Sequence, residues 1–233
     1  MVQREKVLNR NWLCLKLMIV LSLGMVLACT KSAAAQDDYP GFGLHASWTQ
    51  YTEISKNQSD VKVSQQLAQI TYRDPQSFWL SFGLGQEEMD AQQYKEEYGK
   101  DIDDALCFNA AGAYYLAPNL ELGIPADLSI GAEYTRARHD IGDTRLTHQR
   151  IIGTANLEWD FHPATPYIRV GALYVTLDSS HGDEEHTSHG DEEHTSALFI
   201  GGVRFSLAQR LTLGAEFNIS EDIGFGGLLG YSF

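Results

Sequence analysis

The side chains best placed to do chemistry are gathered in one stretch. Residues 181–196 carry the unit H-G-D-E-E-H-T-S twice in tandem. It brings His181, His186, His189 and His194 beside Asp183, Glu184, Glu185, Asp191, Glu192 and Glu193. Imidazole and carboxylate together suit Zn²⁺, Ni²⁺ or Cu²⁺. The alternative is a duplicated unit in a tolerant surface loop, because a mobile loop containing Gly and Ser fixes no ligand geometry. No cofactor is expected, and a divalent cation such as Zn²⁺ at these four histidines is the sharper reading of the loop. No G-x-S-x-G, H-E-x-x-H or Gly-rich phosphate loop occurs.

The elements that must carry this loop have a period of two. Segments near Gly41–Tyr51, Val63–Arg73, Phe78–Gly85, Leu106–Leu116, Asp127–His139, Arg150–Phe161, Tyr167–Leu177, Ala197–Leu207, Leu211–Ser220 and Phe225–Phe233 alternate large apolar side chains with small or polar ones. Phe78, Leu80, Phe82 and Leu84, for example, oppose Trp79, Ser81 and Gly83. The fold class expected is all-β, a transmembrane antiparallel up-and-down β-barrel of ten strands, with eight as the rival if the turn at Ala117–Ala126 is misread. Longer polar loops alternate with tight turns, and an even count places both termini on one side. A soluble sandwich also alternates, but its outer faces are polar.

On the opposite, inward rows lie Glu133, Glu158, Asp160, Arg169, Arg204 and Glu216. Unpaired buried charge is costly, so these six are expected to form a lumen charge network. A plugged polar core is one reading of it and a narrow ion path the other. Small barrels have interiors just wide enough for side chains, which favours the plug.

Arg4, Lys6, Arg10 and Lys16 precede an apolar run, Leu17–Ala28, and then Ser32-Ala33-Ala34-Ala35. This is the layout of a secretory signal peptide, with cleavage after Ala35. Val26-Leu27-Ala28-Cys29 offers lipoprotein processing at Cys29 as the alternative. The expected division is signal peptide 1–35, a short segment 36–40 and a barrel 41–233. Five of the 17 basic residues and one of the 31 acids lie in 1–35, so the remainder carries a formal charge of −18. Such a surface repels nucleic acid. Only Cys107 follows residue 35, so no internal disulfide is expected.

The last nine residues, F-G-G-L-L-G-Y-S-F, put Phe225, Leu229, Tyr231 and Phe233 on one face against Gly226, Leu228, Gly230 and Ser232. Here the chain resembles the small outer-membrane β-barrels of the OmpA/OmpX-like group. The resemblance implies a place in the outer membrane of a Gram-negative bacterium. It implies outer-membrane lipid and lipopolysaccharide as partners, and an assembly signal at Leu229, Tyr231 and Phe233 for the barrel assembly machinery. Some small barrels are enzymes. His45-Ala46-Ser47 is superficially like a lipid A deacylase pair, but both side chains point inward. The omptin protease pattern is missing, since His139 and Asp140 are adjacent rather than spaced. The acidic stretch Gln86–Asp104 reads as a solvated loop, with Mg²⁺ or Ca²⁺ bridging to lipopolysaccharide phosphates as a sharper reading. The function expected is therefore non-enzymatic: a surface protein, structural or adhesive, acting through acidic extracellular loops. A small porin-like channel and a metal-binding surface protein at 181–196 are the alternatives.

Overall fold

In the computed structural model, ten antiparallel strands pair in chain order and the first closes on the last. The structure describes residues 40–54, 60–121, 125–181, 192–208, 210–220 and 222–233. The expected export segment 1–35 lies outside them. The strands are β1 (Gly41–Ile54), β2 (Asp60–Asp74), β3 (Phe78–Ala91), β4 (Ala105–Glu121), β5 (Pro125–Ile141), β6 (Thr144–Trp159), β7 (Ala164–His181), β8 (Glu192–Ala208), β9 (Leu211–Ile219) and β10 (Ile223–Ser232). One helix, α1 (Gln92–Tyr98), joins β3 to β4. Ten strands close the ring, so the eight-stranded alternative falls.

Closure runs from Gly43 opposite Ser232 to Gln50 opposite Phe225. The terminal residue takes part, since the Phe233 N–H donates to the Phe42 carbonyl at 2.8 Å. A closed ring leaves no row of unpaired backbone groups in hydrocarbon, which is what lets strands cross a membrane.

The outward rows explain the solvent. Leu80, Phe82 and Leu84 on β3 are 45–58% exposed, while Ser81, Gly83 and Gly85 between them are buried. Phe42, Trp48, Ile70, Phe108, Tyr114, Ile130, Ile151, Val170, Leu213, Phe217, Phe225 and Leu229 extend this belt around the ring. An apolar band of this extent on every strand fits lipid and not water.

β9 and β10, with 9 and 10 residues, are about the 9–11 needed to span a bilayer. β7 has 18 residues and β4, β5 and β8 have 17. The surplus projects mainly at the end away from the termini, and there the pattern reverses. On β2 the outward row passes from Ile70 and Ala68 to Gln66, Ser64 and Lys62, while the inward row passes from Thr71 and Gln69 to Val63 and Val61. On β5 it passes from Ile130 and Tyr134 to Arg136 and Arg138. Past the lipid boundary the outward rows turn polar, and apolar side chains join the inward rows. Tyr51, Val61, Val63, Met89, Ala91, Tyr94, Ile141, Leu146 and Leu177 form a buried cluster in this projection. The helix α1 contributes Tyr94. Seven residues make a marginal helix alone. Packing of Tyr94, a C-cap at Gly99 and ion pairs from Lys95 to Asp90 and Asp101 hold it.

This projection corrects several expected loops. Gln86–Asp104 is not a wholly solvated loop: β3 continues to Ala91, α1 follows, and Glu87 is fully buried. The expected loop Asp140–Gln149 shrinks to a two-residue turn, with Gly142 at φ 64°. The expected turn Ala117–Ala126 is mostly strand, with register shifts after Tyr115 and Ala117. Strands outside the lipid carry no apolar outward row, which is why they read as loops.

Candidate functional site

The lumen is the site where the chain concentrates its buried polar chemistry. Interleaved with the apolar cluster of the projection is a layer of carboxylates and imidazoles. Glu53 comes from β1, Gln65 from β2, Glu87 from β3, His139 from β5, and His148 and Arg150 from β6. Alternation turns all of them inward, between outward neighbours such as Gln86 and Glu88, or Thr147 and Gln149.

Glu87 is the hub. Its Oε1 lies 2.9 Å from His139 Nε2 and 2.7 Å from His148 Nδ1, and its Oε2 accepts from Gln65 Nε2 at 2.6 Å. His139 Nδ1 sits 2.9 Å from the Asp103 carbonyl. His148 Nε2 sits 3.1 Å from Glu53 Oε2. Arg150 Nε is 3.5 Å from Glu53 Oε1, and its guanidinium stands 4.0 Å over the Tyr51 ring. Glu87, His139 and His148 have no exposed surface.

Both ring nitrogens of His148 face carboxylates, so its imidazolium form is favoured. Burial alone would lower its pKa. The charges of Glu87 and Glu53, with their hydrogen bonds, outweigh that and push it up to about 10. Burial alone would raise Glu87. The His148 charge, with hydrogen bonds from both histidines, instead holds its carboxyl far below the usual carboxylate range. Two glutamates thus face a cationic histidine and an arginine, which is the pairing that buried charge requires.

Deeper in the lumen, Asn109 takes the next layer. Its Oδ1 accepts from Gln69 Nε2 at 2.9 Å, and its Nδ2 donates to Glu133 Oε1 at 2.9 Å and Thr135 Oγ1 at 3.1 Å. Ser47 Oγ donates to Gln69 Oε1 at 3.4 Å, so this serine is held in the lumen network. Towards the termini, Arg204 donates to Glu158. Tyr167 donates to Glu216 Oε2 at 2.7 Å, with Arg169 and Arg204 against its ring at 4.7 and 5.3 Å.

The structure therefore brings Glu158, Arg204, Arg169 and Glu216 together around Tyr167, and seats Glu133 one layer away. It does not bring in Asp160. That carboxylate lies past the end of β6, exposed, and accepts the His162 N–H at 2.9 Å. The strand simply stops before Asp160 can turn inward. Of the four expected metal ligands, His186 and His189 lie outside the described residues, as does the side chain of His181. His194 is on the inward row of β8. Among the described residues no group of three or more His, Cys, Asp or Glu is arranged to hold a metal. Leu229 and Phe233 face outward and are exposed, and Tyr231 meets Phe233 edge-on at 5.6 Å. Cys107 is buried beside Leu67, Ala105 and Ala137.

Sequence reasoning missed Glu53, Glu87, His139, His148 and Arg150. The signal was available: each stands in period two with buried apolar residues, as Glu87 does with Met89 and Ala91.

A closed barrel with lipid-facing outer rows and a polar lumen is an outer-membrane β-barrel. Solved structures of similar architecture include Ail, the attachment invasion locus protein of Yersinia pestis, at 11% identity and a TM-score of 0.42, covering 85% of this chain and 100% of that one. The N-terminal β-barrel domain of Pseudomonas aeruginosa OprF gives 11% and 0.37, covering 84% and 98%. The translocator domain of the autotransporter NalP from Neisseria meningitidis gives 10% and 0.44, covering 93% and 94%. No family model matches the chain, and no curated protein matches its sequence.

Proposed function

We propose that this protein is a non-enzymatic surface protein whose sealed barrel holds a projecting extracellular end in place. One observation carries this reading. The Glu53–His148–Glu87–His139 layer crosses the lumen fully or almost fully buried, interleaved with an apolar cluster: Glu53 pairs with Val61 and His139 with Leu146. Side chains without exposed surface cannot reach a substrate, and a hydrogen-bonded layer packed among buried apolar side chains leaves no aqueous path for ions. The projection instead offers a polar outer face and the ends of long strands to the surroundings.

Planar-bilayer recording tests this. Purified protein inserted at known density is expected to give no steady unitary conductance at neutral pH. Reproducible, steady open levels from wild-type protein would overturn the proposal in favour of a porin-like channel.

A further inference from the structure

Among the described strands, the outward-facing arginines all lie on one hairpin. Arg73, Arg150, Arg169 and Arg204 stand on inward rows, whereas Arg136, Arg138 and Arg145 stand on outward rows of β5 and β6. Arg136 pairs across with Gln149, Arg138 with Thr147 and Arg145 with Asp140. Lys100 lies against the turn of the same hairpin at Gly142. This cationic strip stands on a chain with a formal charge of −14.

Among the described residues, Asp140 on β5 and Asp178 on β7 flank it on the outward face. Asp140 reaches Arg145 at 3.7 Å, with both side chains mostly exposed. Gln149, the cross-strand neighbour of Arg136, is engaged elsewhere: its Oε1 accepts from the Tyr134 hydroxyl at 3.0 Å and its Nε2 donates to Asp178 at 3.3 Å. Arg136 Nε is buried without a hydrogen-bond partner. Arg136 and Arg138, two residues apart on one face, are about 7 Å apart along the strand. Like charges at that spacing repel, and an anion between them removes the penalty.

The height of the strip indicates which anion. Directly below it stand Tyr134 and the cross-strand Ile151, the latter 47% exposed in the apolar belt. Arg136 begins one pair higher, between Gln149 on β6 and the belt residue Phe108 on β4, at the upper edge of the hydrocarbon. Guanidinium forks match phosphate oxygens bidentately. We infer that Arg136 and Arg138, with Arg145 beside them, form an outer-wall site for the phosphate groups of a phosphorylated lipid in the surrounding leaflet. The inference rests on the membrane reading of the belt.

The test uses full-length protein in nanodiscs, titrated with lipopolysaccharide bearing its lipid A phosphates, with the dephosphorylated form, and with soluble heparin as a non-lipid polyanion. Wild-type protein is expected to prefer the phosphorylated lipid by about tenfold or more, from charge-assisted bonds. Arg136→Gln/Arg138→Gln is expected to abolish that preference, and Arg136→Lys/Arg138→Lys to retain part of it. Lys95→Gln, on α1, should bind as wild type. Heat-modifiable migration on gels checks insertion independently, so a misread belt shows as failure of every variant to insert. Equal binding of both lipid forms by inserted wild-type protein would overturn the site. So would an unchanged preference in the double glutamine variant, or heparin binding lost in that variant without any lipid preference.

Discussion

Glu87→Leu is expected to cost about 3 kcal/mol of stability at neutral pH, because it leaves the buried His148 cation with Glu53 alone, a carboxylate it shares with Arg150. In urea this lowers the unfolding midpoint by about 1–3 M. Glu87 receives three side-chain hydrogen bonds, from Gln65, His139 and His148, and leucine receives none. Glu87→Gln keeps an acceptor and should cost less. The pH dependence separates charge from packing. The folded-state pKa of Glu87 is depressed, so its contribution is complete above the unfolded value, about 4.3, and is lost as pH falls below it. His148 is raised to about 10, so its contribution is complete below its unfolded value, about 6.5, and is lost as pH climbs towards 10. The layer is therefore expected to stabilise most between about pH 4.5 and 6.5. In Glu87→Gln the acid limb should flatten. Midpoints measured from pH 3 to 10 check both signs, and an acid limb unchanged in Glu87→Gln contradicts the assignment.

Arg204→Leu is expected to destabilise by about 3 kcal/mol, near the low end for a broken buried pair, because a quarter of the arginine side chain is exposed. The cost is chiefly that of Glu158, whose side chain is only 8% exposed. Removing both charges is therefore expected to recover most of the loss. A double-mutant cycle with Glu158→Leu should show a coupling of about 2 kcal/mol. Additive losses would mean that Arg169, rather than Arg204, neutralises Glu158.

The parts of the fold inside lipid were legible because hydrocarbon demands one phase of the alternation. Leu80, Phe82 and Leu84 could face only outward, and with them the strand count and the inward rows of Glu158 and Arg204 followed. The projection was not legible for the same physical reason. At Lys62–Gln66, Glu88–Asp90 and Arg136–Asp140 the outward rows are polar, so the segments look like loops. Their inward partners Val61, Val63, Met89, Ile141 and Leu146 show a soluble-sheet phase. Reading both phases, joined at a boundary, would have carried β3 through Glu87 and β5 through His139. Asp160 was misplaced for a different reason, since alternation cannot show where a strand ends.

Electron paramagnetic resonance accessibility probes the lipid-facing wall and the sealed lumen together. Single nitroxide labels would be placed outward by Leu84→Cys and Leu229→Cys, and inward by Thr154→Cys and Leu228→Cys, all on a Cys107→Ala background in liposomes. The outward labels are expected to collide strongly with oxygen and weakly with a water-soluble nickel complex, and the inward labels weakly with both. Strong nickel collisions at the outward positions would contradict the lipid wall, and strong nickel collisions at the inward ones would contradict the seal.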